Sequence, residues 1–340
     1  MNLRKNKTIL IAIACIFLIS LIFFIAVKIN TRKIDVSNAK HGITIEKNVD
    51  FYKKTKLLNV KIHKELELGT NVYVLENFTE EDGTAWSKVV VDNKKGYILT
   101  DKIGYYKPSD DEKVLMADVS KFNKNTNFDT AGEFGAFLVN NNITYVYVRA
   151  GGRGYGEKGN FYLDSEYKTW ADECEFLGVP FGFYFLDEAT NSEEIDEEVT
   201  FITDFLKENK YNNMKLPVAL DIEKHNGEGR ADEIWEERAI LVTELVQKLE
   251  NAGIKTIVYS NANTANEFLG EVPAKFWLAY YPDYVLKIPK KWYSELEEQE
   301  ATQNEELMNK MIGWQFTQSG VGAVIPHSVD ISLIDKDFYK

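Results

Sequence analysis

Cysteine and histidine are scarce in this sequence. Among its 340 residues there are two cysteines, Cys15 and Cys174, and four histidines. Cys15 lies inside a long apolar run and Cys174 lies far along the chain, so a disulfide framework is excluded. The histidines show no metal-ligand spacing such as His-Glu-x-x-His. We therefore expect neither a catalytic zinc nor any other metal or cofactor.

Positive charge is also in short supply. Lysine and arginine together number 40 against 53 acidic residues, which gives a net charge of −13. A protein with this balance has no broad basic face, so nucleic-acid binding is excluded. Aromatic residues are plentiful at 13%. Such content is typical of sugar-binding proteins and equally of a large aromatic core, and both interpretations stay open at this point.

The longest apolar run covers residues 8–27 and contains no charged residue. Twenty helical residues span the roughly 30 Å hydrocarbon core of a bilayer. A cleaved signal peptide has a shorter apolar core and a small-residue cleavage site. The run continues well past Cys15, which disfavours a lipoprotein site there. We therefore predict one transmembrane helix, with residues 1–7 in the cytoplasm and residues 28–41 as a linker.

Residues 42–106 have the pattern of a small all-β domain, because short apolar runs alternate with polar turns. Its ordered landmarks resemble those of a bacterial SH3-like domain: Leu66, Gly69, Trp86, Gly96 and Tyr97. This resemblance implies binding to cell-wall peptide or glycan, and a simple spacer is the alternative. A short polar linker, 107–113, follows the domain.

The region 114–340 contains eight strand-like apolar runs with helical segments between several of them. The runs are 115–120, 145–150, 181–186, 217–223, 255–260, 276–281, 312–317 and 329–334. The clearest helix follows Ala231 and ends at Gly253, a glycine stop signal. The pattern predicts an α/β fold, a TIM-like parallel (β/α) barrel. Its later connections look weakly helical, so we expect an irregular barrel.

Acidic residues mark three of these runs. Asp118 lies near the end of the first run, Asp221 and Glu223 end the fourth, and Asp330 lies at the start of the eighth. Catalytic groups of such barrels lie at the carboxyl ends of the strands. Strand alternation turns Asp221 and Glu223 to one face, about 6.5–7 Å apart, with Ile222 on the other.

Two carboxyl groups crowded on a buried face raise each other's pKa, as a general acid at neutral pH requires. Glycoside cleavage is the reaction that such a pair fits best. The structural alternative is a pair neutralised by Arg149 or Arg153.

The segments around these acids resemble glycoside hydrolase family 25, the muramidase-type lysozymes. They are Asp118-Val119-Ser120, PVALDIE at 217–223, FWLAYY at 276–281, and GWQFTQSG followed by VDIS near the C-terminal end. The resemblance covers nearly all of 114–340. It implies a lysozyme that cleaves the β-1,4 bond between N-acetylmuramic acid and N-acetylglucosamine in peptidoglycan.

Carried over position by position, the resemblance gives each acid a role. Glu223 matches the proton donor, and Asp221 matches the residue that stabilises the 2-acetamido group or the developing cation. Asp118 and Asp330 match acids that line the cleft. The family usually has a histidine after the tyrosine of the third strand, where this chain has Phe185 after Tyr184. This departure puts the substrate preference in question.

Aromatic and amide side chains near the strand ends are predicted to bind sugar, with a core role as the alternative. They are Tyr184, Trp277, Tyr280, Trp314 and Gln315. The glycine-rich segment 151–156 lacks the features of a phosphate-binding loop, and we interpret it as a flexible cleft loop.

Basic residues flank both ends of 8–27 almost equally, so charge alone does not orient the anchor. Since the remainder resembles an exported enzyme, we place the barrel outside a single-pass cell-membrane anchor. Peptidoglycan is then the expected partner, together with proteins of cell-envelope assembly. One alternative is a glycan-binding protein without catalysis. The other is a chitinase-type enzyme, whose further acids ahead of Asp221 are absent here.

Overall fold

A computed structural model describes residues 33–55, 62–156, 158–281, 288–289, 304–318 and 329–340. The predicted transmembrane helix 8–27, the predicted cytoplasmic residues 1–7 and the start of the first linker lie outside the described residues. In the part that is described, no helix combines the length and apolarity needed to cross a membrane.

The N-terminal part of the described chain is a seven-stranded antiparallel sheet with the strand order β3-β2-β6-β5-β4-β1-β7. Its strands are β1 Lys40–Thr44, β2 Val49–Tyr52, β3 Ile62–Leu66, β4 Asn71–Thr79, β5 Ala85–Val91, β6 Lys94–Leu99 and β7 Ile103–Gly104. Phe51, Val89 and Ile98 are fully buried in its core. The all-β prediction is confirmed, and the SH3-like assignment stays a prediction.

The second part is a closed eight-stranded barrel in which each predicted apolar run becomes a strand. The strands are β8 Lys113–Val119, β9 Tyr145–Arg153, β11 Phe181–Leu186, β12 Val218–Asp221, β13 Thr256–Asn261, β14 Phe276–Ala279, β15 Met311–Thr317 and β16 Asp330–Asp335. A short additional strand, β10 Phe161–Leu163, forms an antiparallel hairpin with β9. Pairing of β8 with both β9 and β16 closes the barrel.

Helices cover the outside of the barrel. They are α1 Ala131–Asn140, α2 Tyr167–Leu177, α3 Ser192–Glu208, α4 Trp235–Asn251, α5 Ala262–Thr264 and α6 Glu305–Lys310. Helix α2 ends at Gly178, whose φ of 77° is the left-handed conformation of a glycine stop. The helix after Ala231 also forms as predicted, and its apolar face packs on the barrel through Val242, Leu245 and Leu249.

The last strand departs from the predicted all-parallel barrel, because β16 runs antiparallel to both β15 and β8. Only about a dozen residues separate β15 from β16, the lower limit for a parallel crossover. The reversal has one direct effect on the site. The start of β16, which carries Asp330, lies at the same end of the barrel as the carboxyl ends of the other strands.

The sheet packs directly against α1 and α2 of the barrel. The backbones of Gly69 and Gly132 approach so closely that a Cβ added at Gly132 would lie 1.9 Å from the Gly69 oxygen. Asn71 donates a hydrogen bond to Glu173 over 2.9 Å. The His41 ring stacks on Phe176 with 4.6 Å between centroids. These contacts fix the sheet on the helical layer.

Candidate active site

Four carboxyl groups meet at one end of the barrel. Asp118 and Asp330 are direct neighbours across the β8–β16 pairing. Asp221 ends β12, and Glu223 follows two residues later. All four line one cleft of about 190 Å³. The structure therefore brings together the four acids that the sequence singled out.

Strand alternation explains why the acids of the fourth strand face inward. Ala219 belongs to the apolar cluster inside the barrel, whereas Leu220 and Ile222 belong to the cluster between barrel and helices. Asp221 therefore follows Ala219 toward the interior. Ile222 is fully buried on the opposite face, as predicted.

Burial dominates the electrostatics of this group. It raises the pKa of Asp118 and Asp221 well above the usual aspartate value, and the charges of Asp330 and Glu223 respectively add to the effect. Burial also raises the pKa of Glu223, while the charge of His225 opposes the rise. The pKa of Asp330 rises to about 7 through burial and the charge of Glu223.

Neither arginine that could neutralise these acids does so. Arg149 forms its ion pair with Asp164 at 2.7 Å, and Arg153 pairs with Glu198 at 2.9 Å. In the described ranges, Asp221 Oδ1 is buried without a hydrogen-bond partner. A buried carboxyl group that lacks a partner is costly for stability. The Asp221 carboxyl is therefore not held as a structural ion pair by either arginine.

Gln315 organises the floor of the site. Its Nε2 donates to Asp118 Oδ2 over 2.8 Å. Its Oε1 accepts from the hydroxyls of Tyr259, over 2.7 Å, and Tyr281, over 2.6 Å. Gln315 is only 2% exposed. It orients Asp118 and is too deeply buried to present a free amide to the cleft.

Aromatic side chains form the inner walls of the cleft. Tyr184, Tyr259 and Trp277 all line it. The Trp277 ring packs on Tyr259 with 4.6 Å between centroids, and its Nε1 donates to Ser332 Oγ over 2.9 Å. Tyr184 is only partly buried and lies where a bound sugar would meet it, whereas Trp277 is 2% exposed and belongs to the interior core.

Two of the predicted sugar-binding residues lie elsewhere. Trp314 is fully buried between the barrel and the helices, and its Nε1 donates to the carbonyl of Tyr280 over 2.8 Å. Tyr280 packs against the same outer cluster. Both side chains face the helices because their neighbours Gln315 and Tyr281 face the barrel interior.

The rim of the cleft carries residues that sequence reasoning passed over. Phe122 and Tyr155 line it and are 68% and 48% exposed. Arg149, considered above only as a counter-ion, also lines the cleft. The sequence offers a single indication for Phe122 and Tyr155, namely that they follow directly after the first and the second strand of the barrel.

A histidine stands beside the rim. His225 Nε2 lies 3.1 Å from Glu188 Oε1, and its ring meets Tyr155 edge-to-face with 4.5 Å between centroids. Asp232 accepts hydrogen bonds from the backbone N–H of His225 and of Gly227. The buried Glu188 favours the protonated imidazole, so the pKa of His225 rises despite its partial burial.

The glycine-rich segment is not the loop that we predicted over its first residues. Gly151, Gly152 and Arg153 belong to β9 and pair with β10. A Cβ at Gly151 would lie 2.0 Å from Tyr162 O, and one at Gly152 would lie 2.3 Å from Leu186 O. The two glycines allow strands to approach β9 from both sides.

This constellation agrees with a comparison against sequence families. The profile described as glycosyl hydrolases family 25 matches residues 117–323. The chain belongs to this family. It is therefore a glycoside hydrolase, and the matched range contains Asp118, Asp221 and Glu223. No curated protein matches the chain in sequence.

Several solved structures show partial similarity to the chain. The spore cortex lytic enzyme SleM of Clostridium perfringens is 18% identical, with a TM-score of 0.49 over 68% of this chain and 70% of that one. The modular autolysin LytC of Streptococcus pneumoniae is 18% identical, with a TM-score of 0.47 over 77% of this chain and 58% of that one. The catalytic domain of endolysin ply40 from bacteriophage P40 of Listeria monocytogenes is 18% identical, with a TM-score of 0.45 over 67% of this chain and 96% of that one.

Proposed function

We propose that this glycoside hydrolase is a muramidase that cleaves the β-1,4 bond between N-acetylmuramic acid and N-acetylglucosamine in peptidoglycan. The observation that carries the proposal is the group of four acids at one end of a family 25 barrel, none of them neutralised by Arg149 or Arg153. Glycoside cleavage needs one carboxyl group that holds a proton and another that stabilises positive charge.

Glu223 is the proton donor in this proposal. Burial raises its pKa, so the protonated form persists at a pH where an exposed glutamate is ionised. This is the form that donates to the leaving oxygen. Asp221 stabilises the acetamido group or the developing cation. The charge of Arg149 partly offsets the rise of the Asp221 pKa and so favours its ionised form.

Asp118 and Asp330 line the cleft and hold substrate in place. Burial and the charge of Asp330 raise the pKa of Asp118, which favours a protonated carboxyl at Asp118 beside Asp330. Gln315 fixes Asp118 within this pair. Tyr184 provides aromatic surface for the sugar ring.

The proposal includes the cellular location. Residues 8–27 anchor the chain in the cell membrane as a single span, and the barrel lies outside, next to the wall. The seven-stranded sheet, in its SH3-like interpretation, supplies a second contact with wall peptide or glycan. Proteins of envelope assembly are the expected partners. The support for these points is the sequence pattern described above.

Release of reducing ends from purified cell wall tests the reaction. The full chain should release them, and Glu223→Gln should lower the rate at least about a hundredfold, as expected for loss of a general acid. Glu228→Gln is the matched control, because Glu228 is an exposed glutamate of the same loop. Mass spectrometry should find muramic acid at the new reducing ends.

Two other results would change the assignment. N-acetylglucosamine at every new reducing end would indicate the other glycosidic bond of the wall. Binding to wall without any release, by the wild-type chain on several wall types, would favour the glycan-binding alternative over the muramidase.

A further inference from the structure

The loop 222–232, which follows β12, carries Glu223 between two restrained positions. At its start, the N–H of Ile222 donates to a carbonyl of the neighbouring strand β13 over 2.9 Å. Three residues later, the N–H of His225 donates to Asp232 Oδ1 over 2.9 Å. Because Glu223 lies between these two positions, a shift of His225 would also displace Glu223.

Glu188 joins this loop to the other neighbouring strand. It lies two residues after β11 and is fully buried. Its Oε2 accepts from the N–H of Ala231 over 3.0 Å, and its Oε1 lies 3.1 Å from His225 Nε2. One buried carboxyl group therefore contacts the loop near both of its ends.

The contact between Glu188 and His225 depends on charge. Within the described residues, neither Glu188 Oε1 nor His225 Nε2 has an aligned hydrogen bond, although these two atoms are 3.1 Å apart. Coulomb attraction acts at this distance without strict alignment. A carboxylate that is removed from water is costly unless a countercharge compensates it, and a protonated imidazole supplies that countercharge.

The backbone of the loop is shaped for this close approach. Asn226 and Gly227 both have left-handed φ angles, 55° and 93°. After this turn Gly229 lies against the pair, where an added Cβ would be 2.9 Å from His225 Cδ2 and 3.1 Å from Glu188 Oε1. A larger residue at position 229 would therefore press on both partners.

Glu188 differs from neighbouring carboxyl groups in the type of its partner, since three of them pair with arginine. These ion pairs are Asp187–Arg238, Glu194–Arg230 and Glu198–Arg153, with N–O distances of 3.0, 2.7 and 2.9 Å. Arginine keeps its charge at every physiological pH, whereas histidine loses it near neutral pH. Among these four ion pairs, the one between Glu188 and His225 is therefore the one that a change of pH can abolish.

The titratable groups around His225 decide its charge. They are Glu188 from the segment after β11, Tyr155 from the segment after β9, and Glu223 and Asp232 from its own loop. Partial burial lowers the pKa of His225, but Glu188 outweighs burial and, with the other two carboxyl groups, raises it. The ion pair thus persists to a higher pH than the charge of an isolated histidine would.

We propose that Glu188 is a positioning residue of this hydrolase. Through its ion pair with His225 it holds the loop 222–232 and so keeps Glu223 in its place in the cleft. Neither partner is among the described residues that line the cleft, so both act on the reaction through Glu223. This inference rests on the proposed function of Glu223 as the proton donor and adds the groups that hold the donor in place.

Steady-state cleavage of soluble wall fragments by Glu188→Gln tests the kinetic part. The substitution keeps the volume of the side chain and removes the charge that holds His225. We expect kcat to fall at least about tenfold, because a small displacement of a catalytic group is costly, while KM stays within about twofold. Glu173→Gln is the matched control, because Glu173 is a buried glutamate of α2 that does not line the cleft.

A double variant tests whether the two residues act as one unit. If they do, Glu188→Gln/His225→Gln should have the kcat of Glu188→Gln alone, whereas the losses of two independent residues would multiply.

Two measurements without turnover test the contact itself. NMR identifies His225 among the four histidines by the signal that His225→Gln lacks. The pKa of His225 should fall in Glu188→Gln, because the anionic partner is gone. Hydrogen exchange of the amides at 222–232 should become at least about tenfold faster in this variant, with β12 and α4 unchanged. A purely structural role of Glu188 would instead accelerate exchange throughout the barrel and leave kcat of the folded enzyme unaltered.

The two proposals fail in different ways. Normal kcat in Glu188→Gln, while the wild type cleaves wall, overturns the positioning role and keeps the reaction. An identical His225 titration in both proteins overturns the ion pair. Wild-type protein that releases no reducing ends from any wall preparation removes the reaction, and the restraint on the loop then stands or falls with the exchange at 222–232. If Glu188→Gln does not fold, His225→Gln, which changes the partly exposed partner, replaces it in the kinetic and exchange measurements.

Discussion

Gln315 offers the sharpest test of how the site is organised, because it joins three buried groups. Replacement by leucine keeps most of the volume but removes the donor to Asp118 and the acceptor shared by Tyr259 and Tyr281. Each buried polar group left without a partner costs about 1–3 kcal/mol. Gln315→Leu should therefore lose about 2–4 kcal/mol of unfolding free energy, since the tyrosine hydroxyls recover part of the loss elsewhere.

Gln315→Glu is the more informative change because it keeps the shape and adds a charge. Two carboxylates 2.8 Å apart repel by about 6 kcal/mol at an effective dielectric constant near 20, equivalent to about four pKa units. The pair will therefore hold one proton at neutral pH. A protonated carboxyl can still donate to Asp118, as the amide does. Because the carboxyl pair of the Gln315→Glu variant has a raised pKa, the stability that its shared proton contributes is full at acid pH and falls as the pH rises.

Denaturant unfolding and reducing-end release at pH 5 and pH 8 measure both effects. Gln315→Glu should resemble the wild type more closely at pH 5 than at pH 8. The activity of Gln315→Leu should fall at least about tenfold at either pH, because Asp118 loses its fixed orientation. Gln247→Leu, on the exposed side of α4, is the control. Wild-type stability and activity in Gln315→Leu would refute the conclusion that Gln315 holds Asp118, Tyr259 and Tyr281 in place.

Three further predictions concern other parts of the chain. His225→Gln removes a cation that lowers the pKa of Glu223, so the basic limb of the pH–rate profile should move to higher pH; a shift to lower pH would contradict the assignment of Glu223 as the acid. Burial raises the pKa of Glu173 to about 7, so its contribution to stability is full below about pH 4.5 and disappears above pH 7. Glu173→Gln should therefore raise the free energy of unfolding at pH 8 by up to about 3 kcal/mol more than it does at pH 4. Denaturant titrations that give the same effect of the substitution at both pH values would contradict the burial of the Glu173 carboxyl. Gly132→Ala should destabilise the contact between sheet and barrel by about 1–3 kcal/mol in thermal unfolding, whereas Gly156→Ala, with open space around it, should not.

The strands of the barrel could be predicted because their signal is local. The run at 181–186 becomes β11 Phe181–Leu186 without change, since a short, continuous apolar run is typical of a strand covered on both faces. The direction of β16 could not be predicted in this way. Direction depends on the connection that precedes a strand, and an apolar run has the same pattern whichever way it points.

Side-chain direction separates the predicted site residues that lie inside the barrel from those that face the helices. Trp314 and Gln315 are adjacent on β15, so strand alternation allows only one of them to face the barrel interior. The structure gives that place to Gln315. The exposed ring of Phe122 had no comparable signal, because exposure at a turn depends on the distant partners Asp164 and Trp170.

The pairing of β8 with β16 has a consequence for how activity arises during folding. Asp118 and Asp330 meet across this seam although they lie roughly 200 positions apart in the chain, a separation typical of contacts that form late. Until the first and last strands join, each edge of the open sheet carries one of these acids, and the cleft does not exist. Hydrolytic activity should thus appear in a single late step, and a refolding chain should remain inert until its barrel has closed.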